Sequence, residues 1–346
     1  SALRLSRAPV AAFMAVGLTW GCIAAMAPVL KARIGVDDAS FGLLLLGTAI
    51  GLSTTLYIAP RWDRRMGRWA LPGTVILAAA SMLPAVAYTV PLFFVILMIL
   101  GATSGLTDVV MNARVSEIET RTSRSLMNVN HAMFSVAYAV SALLTGAMRE
   151  AGWGPAAIFP AIAMLVLATA PFQMMQVAVR DVGNGPVPRL PLGLVALCGA
   201  IVLIGFMAEA TVESWSALHI ERTLLGGAAE GAFGPAMLGL TMAVGRFSGQ
   251  AVAARLSEIG VIRIATALAV AGVLIAAAAP TPFVAYIGFG LMGLGISVIG
   301  PMGLALAGRL SLPSQRTAVI ARVAVIGFIG FFIAPALMGI GAQTFG

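Results

Sequence analysis

Apolar residues in this chain gather into runs of about 20, the length of a helix that crosses a lipid bilayer. Eleven such runs can be placed, near 8–30, 39–60, 70–89, 91–111, 130–148, 155–178, 192–212, 232–252, 262–279, 282–306 and 318–341. Gly, Pro or charge breaks them apart, as at Asp37 and Asp38, at Pro91, at Gly152 to Gly154 and at Pro280 to Pro282. The first run follows Arg4 and Arg7. It is too long for a signal-peptide core and lacks a convincing cleavage site, so a retained first helix is expected.

The polar stretch 180–191 divides six runs from five. The expected organisation is an N-terminal six-helix bundle (1–179), a cytoplasmic linker (180–191) and a C-terminal bundle (192–346) with five helices visible. A weak internal repeat supports two related halves. Residues 39–47 align with 231–239, so that Phe41, Gly42 and Gly47 meet Phe233, Gly234 and Gly239. Residues 123–134 align with 314–325 and bring His131 onto Arg322. A second half that matches the first needs a sixth helix, so a twelfth span is expected beyond this chain.

Composition agrees with lipid as the main solvent. Of 346 residues 60% are apolar and 10% charged, against about 25% charged in a soluble domain. The 39 glycines suit close helix packing, with Gly17 and Gly21, Gly47 and Gly51, and Gly245 and Gly249 each four apart. The net charge of +8 does not indicate nucleic acid, because the arginines sit in short loops and form no basic face. Cys22 and Cys198 lie inside apolar runs, with neither a disulfide framework nor metal spacing. With the N-terminus placed in the cytoplasm, inner segments hold 17 Lys and Arg residues, Arg246 counted among them. Outer segments hold four: Lys31, Arg33, Arg149 and Arg222. This positive-inside bias predicts a multi-pass protein of the bacterial inner membrane.

After the second run the chain reads Ala59-Pro60-Arg61-Trp62-Asp63-Arg64-Arg65-Met66-Gly67-Arg68. This resembles the loop signature of the major facilitator superfamily, with Ala59 in place of its first Gly. The resemblance implies an all-α membrane fold of two pseudo-symmetric six-helix bundles. It also implies a cytoplasmic gate at Asp63, Arg64, Gly67 and Arg68, since a carboxylate is favoured at a helix N-terminus. Asp108 and Asn112 in the fourth run, and Asn130 and His131 opening the fifth, make the chain similar to the fucose permease branch and its bacterial inner-membrane relatives. That branch's acidic residue in helix one has Pro28 as its counterpart here.

Charge inside a span costs at least about 2.5–3.5 kcal/mol at the centre, so it usually has a task. Asp108, Glu209 and Glu213 are therefore the expected proton-coupling groups. Glu209 and Glu213 are four apart on one helix face, where mutual repulsion favours holding a proton. Trp20, Asn112, Asn130, His131 and Arg322 are the expected substrate-binding residues, with Arg322 also a candidate counter-ion to Asp108. Each has a plainer reading as packing, helix capping or an interface charge.

No Walker loop, nucleophile elbow or metal-ligand spacing occurs, so neither an enzyme nor a cofactor is expected. The expected function is a proton-coupled symporter of a small polar organic solute, sugar-like solutes included, working by alternating access. An efflux antiporter for a drug-like or metabolic compound is the alternative, and a non-transporting receptor or scaffold the third. Expected partners are the solute, protons and membrane lipids, with no nucleic acid, and a monomer is expected.

Overall fold

The computed structural model describes residues 2–66, 74–174, 191–253, 256–312 and 315–345. Eleven spans run through them, in the order the apolar runs predict. They are α1 (Arg7–Ile34), α2 in two pieces (Asp38–Leu44 and Leu46–Met66), α3 (Thr74–Met82) and α4 (Val90–Thr122). Then come α5 (Met127–Glu150), α6 (Pro155–Thr169), α7 (Leu192–Leu218, continued by a π turn His219–Thr223) and α8 (Ala228–Ala253). α9 (Glu258–Ala277), α10 (Pro282–Leu310) and α11 (Arg316–Phe345) complete the set. Eight are long and apolar enough to cross a membrane by length and composition alone.

Local chemistry sets many of the ends. Proline opens α4, α6 and α10 at the first turn, where its missing N–H costs nothing. Gly35 closes α1 in the left-handed region at φ 68°. Asp37 caps α2 by accepting from Ser40 N at 2.7 Å. Glu119, near the end of α4, accepts from the N–H groups of Leu126 and Met127 at 2.5 and 2.9 Å, and so caps α5 from the neighbouring helix.

Two helices outrun the apolar pattern. α4 was expected to end near 111 but continues to Thr122, held by the Arg121–Glu117 pair at 2.5 Å one turn apart. α7 was expected to end near 212 but runs on through Leu218 into its π turn. Asp108, Glu209 and Glu213 therefore sit inside helices, away from their ends.

Spans α1–α6 pack among themselves, as do α7–α11. Small residues set the closest crossings. A Cβ on Gly17 or Gly21 would collide with the α5 backbone at Phe134 or Tyr138, and one on Gly51 with α4 at Met98. Gly245 abuts Ser297 of α10. The two halves meet along α5 against α8 and along α2 against α11. These are equivalent seams under the sequence repeat. α11 packs mainly on the first piece of α2 and little on the second. The α2–α11 seam is thus tightest at the end of the molecule that carries Asp38.

Candidate functional site

Arg246 is the centre of the interface. The sequence count placed it among loop cations, but it lies within α8, with a side chain only 12% exposed. Its Nη2 donates to Glu209 Oε1 of α7 at 3.2 Å. Its Nη1 crosses to the first half, donating to Ser135 Oγ and to the His131 carbonyl of α5, the latter at 3.4 Å. One guanidinium therefore joins both halves. The lone Arg in an apolar run was a visible signal, since the default for an intramembrane charge is a function.

Glu213 lies one turn along α7 from Glu209. It has no hydrogen-bond or ion-pair partner among the described residues, and the charges acting on it are those of Glu209 and Arg246. Tyr138 of α5 is buried, close enough to both glutamates for their charges to act on it, and its hydroxyl has no partner among the described residues. The His131 ring meets Phe13 of α1 edge-on at 4.8 Å. His131, Glu209 and Glu213 thus come together with Arg246, Ser135 and Tyr138, three residues that the sequence reading did not single out.

The other expected site residues lie elsewhere. Asp108 and Asn112 form their own pair on α4, with Asn112 Nδ2 donating to Asp108 Oδ1 at 3.1 Å. Asn130 is fully buried and donates to Ser6 Oγ at 3.1 Å and to Leu126 O at 2.9 Å, a tie between α5 and the chain entering α1. The amide nitrogen makes both bonds, and the amide oxygen is buried with no partner among the described residues. Arg322 is exposed and joins none of the ion pairs among the described residues, so it does not counter Asp108. Trp20 is partly buried against the first-half core. The side chains of Asp63 and Arg64, and Gly67 and Arg68 altogether, lie outside the described residues.

Beyond the cluster, toward Asp38, the passage between the halves is closed in two layers. In the first, Trp215 and Leu218 of α7 are buried within the first-half core, with Trp215 edge-on to Phe41 at 6.1 Å and Phe41 stacked on Phe93 at 6.0 Å. The second layer is ionic. Asp38 accepts two hydrogen bonds from Arg222 at 2.6 and 2.7 Å and pairs with Lys31 at 2.9 Å. Arg149 makes two bonds to Glu221 at 2.6 and 2.8 Å. The two cations hold the Asp38 carboxyl below the usual carboxylate range, the Arg222 hydrogen bonds contributing most. The π turn places Glu221 and Arg222 side by side, one for each first-half partner. Three of the four expected outer cations, Lys31, Arg149 and Arg222, belong to this layer.

Two matching halves, a charged cluster between them and a closure at one end are what an alternating-access carrier requires. The family model of the Major Facilitator Superfamily matches residues 10–282. An uncharacterized MFS-type transporter of Yersinia pestis is 30% identical over 96% of this chain and 87% of its own length. A bacterial homolog of the human lysosomal transporter Spinster, solved in an inward-facing and occupied conformation, superposes with a TM-score of 0.79 at 13% identity, over 99% of this chain and 82% of that one. A D-xylose-proton symporter superposes with a TM-score of 0.68 at 14% identity, over 98% and 89%. The chain belongs to the major facilitator superfamily of membrane transporters.

Proposed function

We propose that this transporter is a proton-coupled symporter of a small polar organic solute, with Glu209 as the coupling carboxylate. One observation carries the reading: Arg246 holds Glu209 of its own half and Ser135 of the other half at the same time. A proton arriving on Glu209 cancels its charge and weakens its hold on Arg246. The guanidinium is then free to change partners, and the contact between the halves changes with it. Proton binding and the motion of the halves are thereby linked through one side chain. A fold-level likeness to a D-xylose-proton symporter is compatible with this coupling.

The protein is placed in the bacterial inner membrane with its N-terminus cytoplasmic. Moving Arg246 from loop to span leaves sixteen inner cations against four outer ones, so the bias survives. The closed end is then periplasmic.

Proteoliposomes loaded with a pH-sensitive dye test the reading. Addition of a co-transported solute from a panel of pentoses, hexoses and their acids acidifies the lumen. Lumenal alkalinisation on solute entry would mean exchange, and would overturn symport.

A further inference from the structure

Among the described residues, the one cation of the interface cluster keeps unused hydrogen-bond donors. Arg246 has five N–H groups, and three are engaged by Ser135, the His131 carbonyl and Glu209. Two remain. The Tyr138 hydroxyl is a further group without a partner among the described residues, 2% exposed and within range of the charge of both carboxylates. Charge points the same way. One guanidinium balances one carboxylate, and the repulsion between Glu209 and Glu213 favours a proton on one of them. The cluster is then neutral. It stays neutral if a second proton enters together with one anion.

Resting on the symport reading, we propose that the solute is an organic anion, a small hydroxylated carboxylate that takes the place of Glu209 on Arg246. The proton that drives entry goes to a Glu209 carboxylate oxygen, and the Glu209–Arg246 ion pair breaks. The solute carboxylate accepts the freed Nη2–H and an unused N–H of the guanidinium, a fork that matches carboxylate geometry. Tyr138 and Ser135 stand beside it for the solute's hydroxyl groups. On release Glu209 loses its proton and pairs with Arg246 again. Around this exchange α5 presents His131 and Tyr138, and α7 presents Glu213. The charge acting on Glu209 and on His131 is that of Arg246, and α1 contributes the apolar Phe13.

Thermal-shift measurements on the purified transporter test this with two size-matched series: galacturonate, galactose and galactosamine; and lactate, propane-1,2-diol and 1-amino-2-propanol. A ligand that binds only the folded state raises its midpoint. At least one acid should raise the midpoint at about pH 6, with apparent affinity falling about tenfold per pH unit on the alkaline side of the titration. Arg246→Gln should lose that shift. Glu209→Gln, which removes the titrating ion pair with Arg246 at every pH, should keep the shift and lose its pH dependence. The Glu209→Gln shift also shows that the site still folds if Arg246→Gln does not. Stabilisation by the neutral or amine members instead, or by none of the six, overturns the anion assignment. So does an acid shift that persists in Arg246→Gln. The two proposals fail separately. Gradient-driven uptake of a neutral sugar removes the anion and leaves proton coupling, whereas acid binding without gradient-driven uptake does the reverse.

Discussion

Arg149, in the last turn of α5, and Glu221, in the π turn that closes α7, meet in two parallel hydrogen bonds of 2.6 and 2.8 Å. Both side chains are largely buried, and they belong to different halves of the protein. Removing one partner of a buried pair costs about 3–5 kcal/mol. That cost falls on the state closed at this end. Glu221→Ala should therefore favour the state open at this end by a factor of about 100 or more. A cysteine at Leu218, in a background lacking Cys22 and Cys198, reports the change. Its labelling by a membrane-impermeant maleimide should rise strongly in Glu221→Ala and fall back in the Arg149→Glu, Glu221→Arg swap. Labelling that stays at the background level would mean that the pair does not hold this end shut.

Gly42 of α2 meets Gly339 of α11 at the same end, and a Cβ on Gly42 would collide with the α11 backbone at Pro335. This crossing lies between the halves, whereas Gly21 packs against Tyr138 within one half. The two glycines should therefore fail differently. Gly42→Leu should leave a folded, monodisperse protein with raised Leu218→Cys labelling. Gly21→Leu should lower the melting temperature, with an overpacking cost of about 1–3 kcal/mol.

The Asp38 pair has a defined pH window. Its carboxyl is held below the usual range by Arg222 and Lys31. A lowered value means that the contribution is whole above the ordinary carboxylate range and is lost as pH falls through the lowered value. The melting-temperature gap between wild type and Asp38→Asn should stay constant above about pH 5 and shrink below about pH 4. A gap that widens on acidification would contradict the assignment.

The number and order of the spans were legible in the sequence because apolar runs of bilayer length leave few alternatives. Span ends were less so. Nothing in the hydropathy of 112–122 marks a helix, and α4 continues there through side-chain pairing such as Arg121–Glu117. Glu209 and Glu213 could be found because a carboxylate is conspicuous in an apolar run. Arg246 is equally conspicuous, but the orientation count takes it as an inner-segment cation rather than by its place in the run. The Asp38–Arg222 and Arg149–Glu221 pairs join residues 184 and 72 positions apart, and no local pattern announces such partners. The Asn130 tie is hidden for a related reason. A polar side chain opening a helix serves a packing tie as well as a ligand, and its Ser6 partner lies 124 positions away.

Asp108 offers a separate check on which carboxylate couples. Its side chain accepts from the amide of Asn112, and Asn at position 108 can accept the same hydrogen bond through its own carbonyl oxygen. Asp108→Asn should therefore keep proton-driven accumulation within a few-fold of wild type. Complete loss there, with accumulation intact in Glu209→Gln, would move the coupling role to α4.

The most direct measurement is a comparison of gradient-driven accumulation with solute exchange in proteoliposomes that carry Glu209→Gln. The account predicts that this variant still exchanges internal for external solute but no longer accumulates it under an inward proton gradient. Accumulation at the wild-type level, with the same dependence on pH, would contradict it.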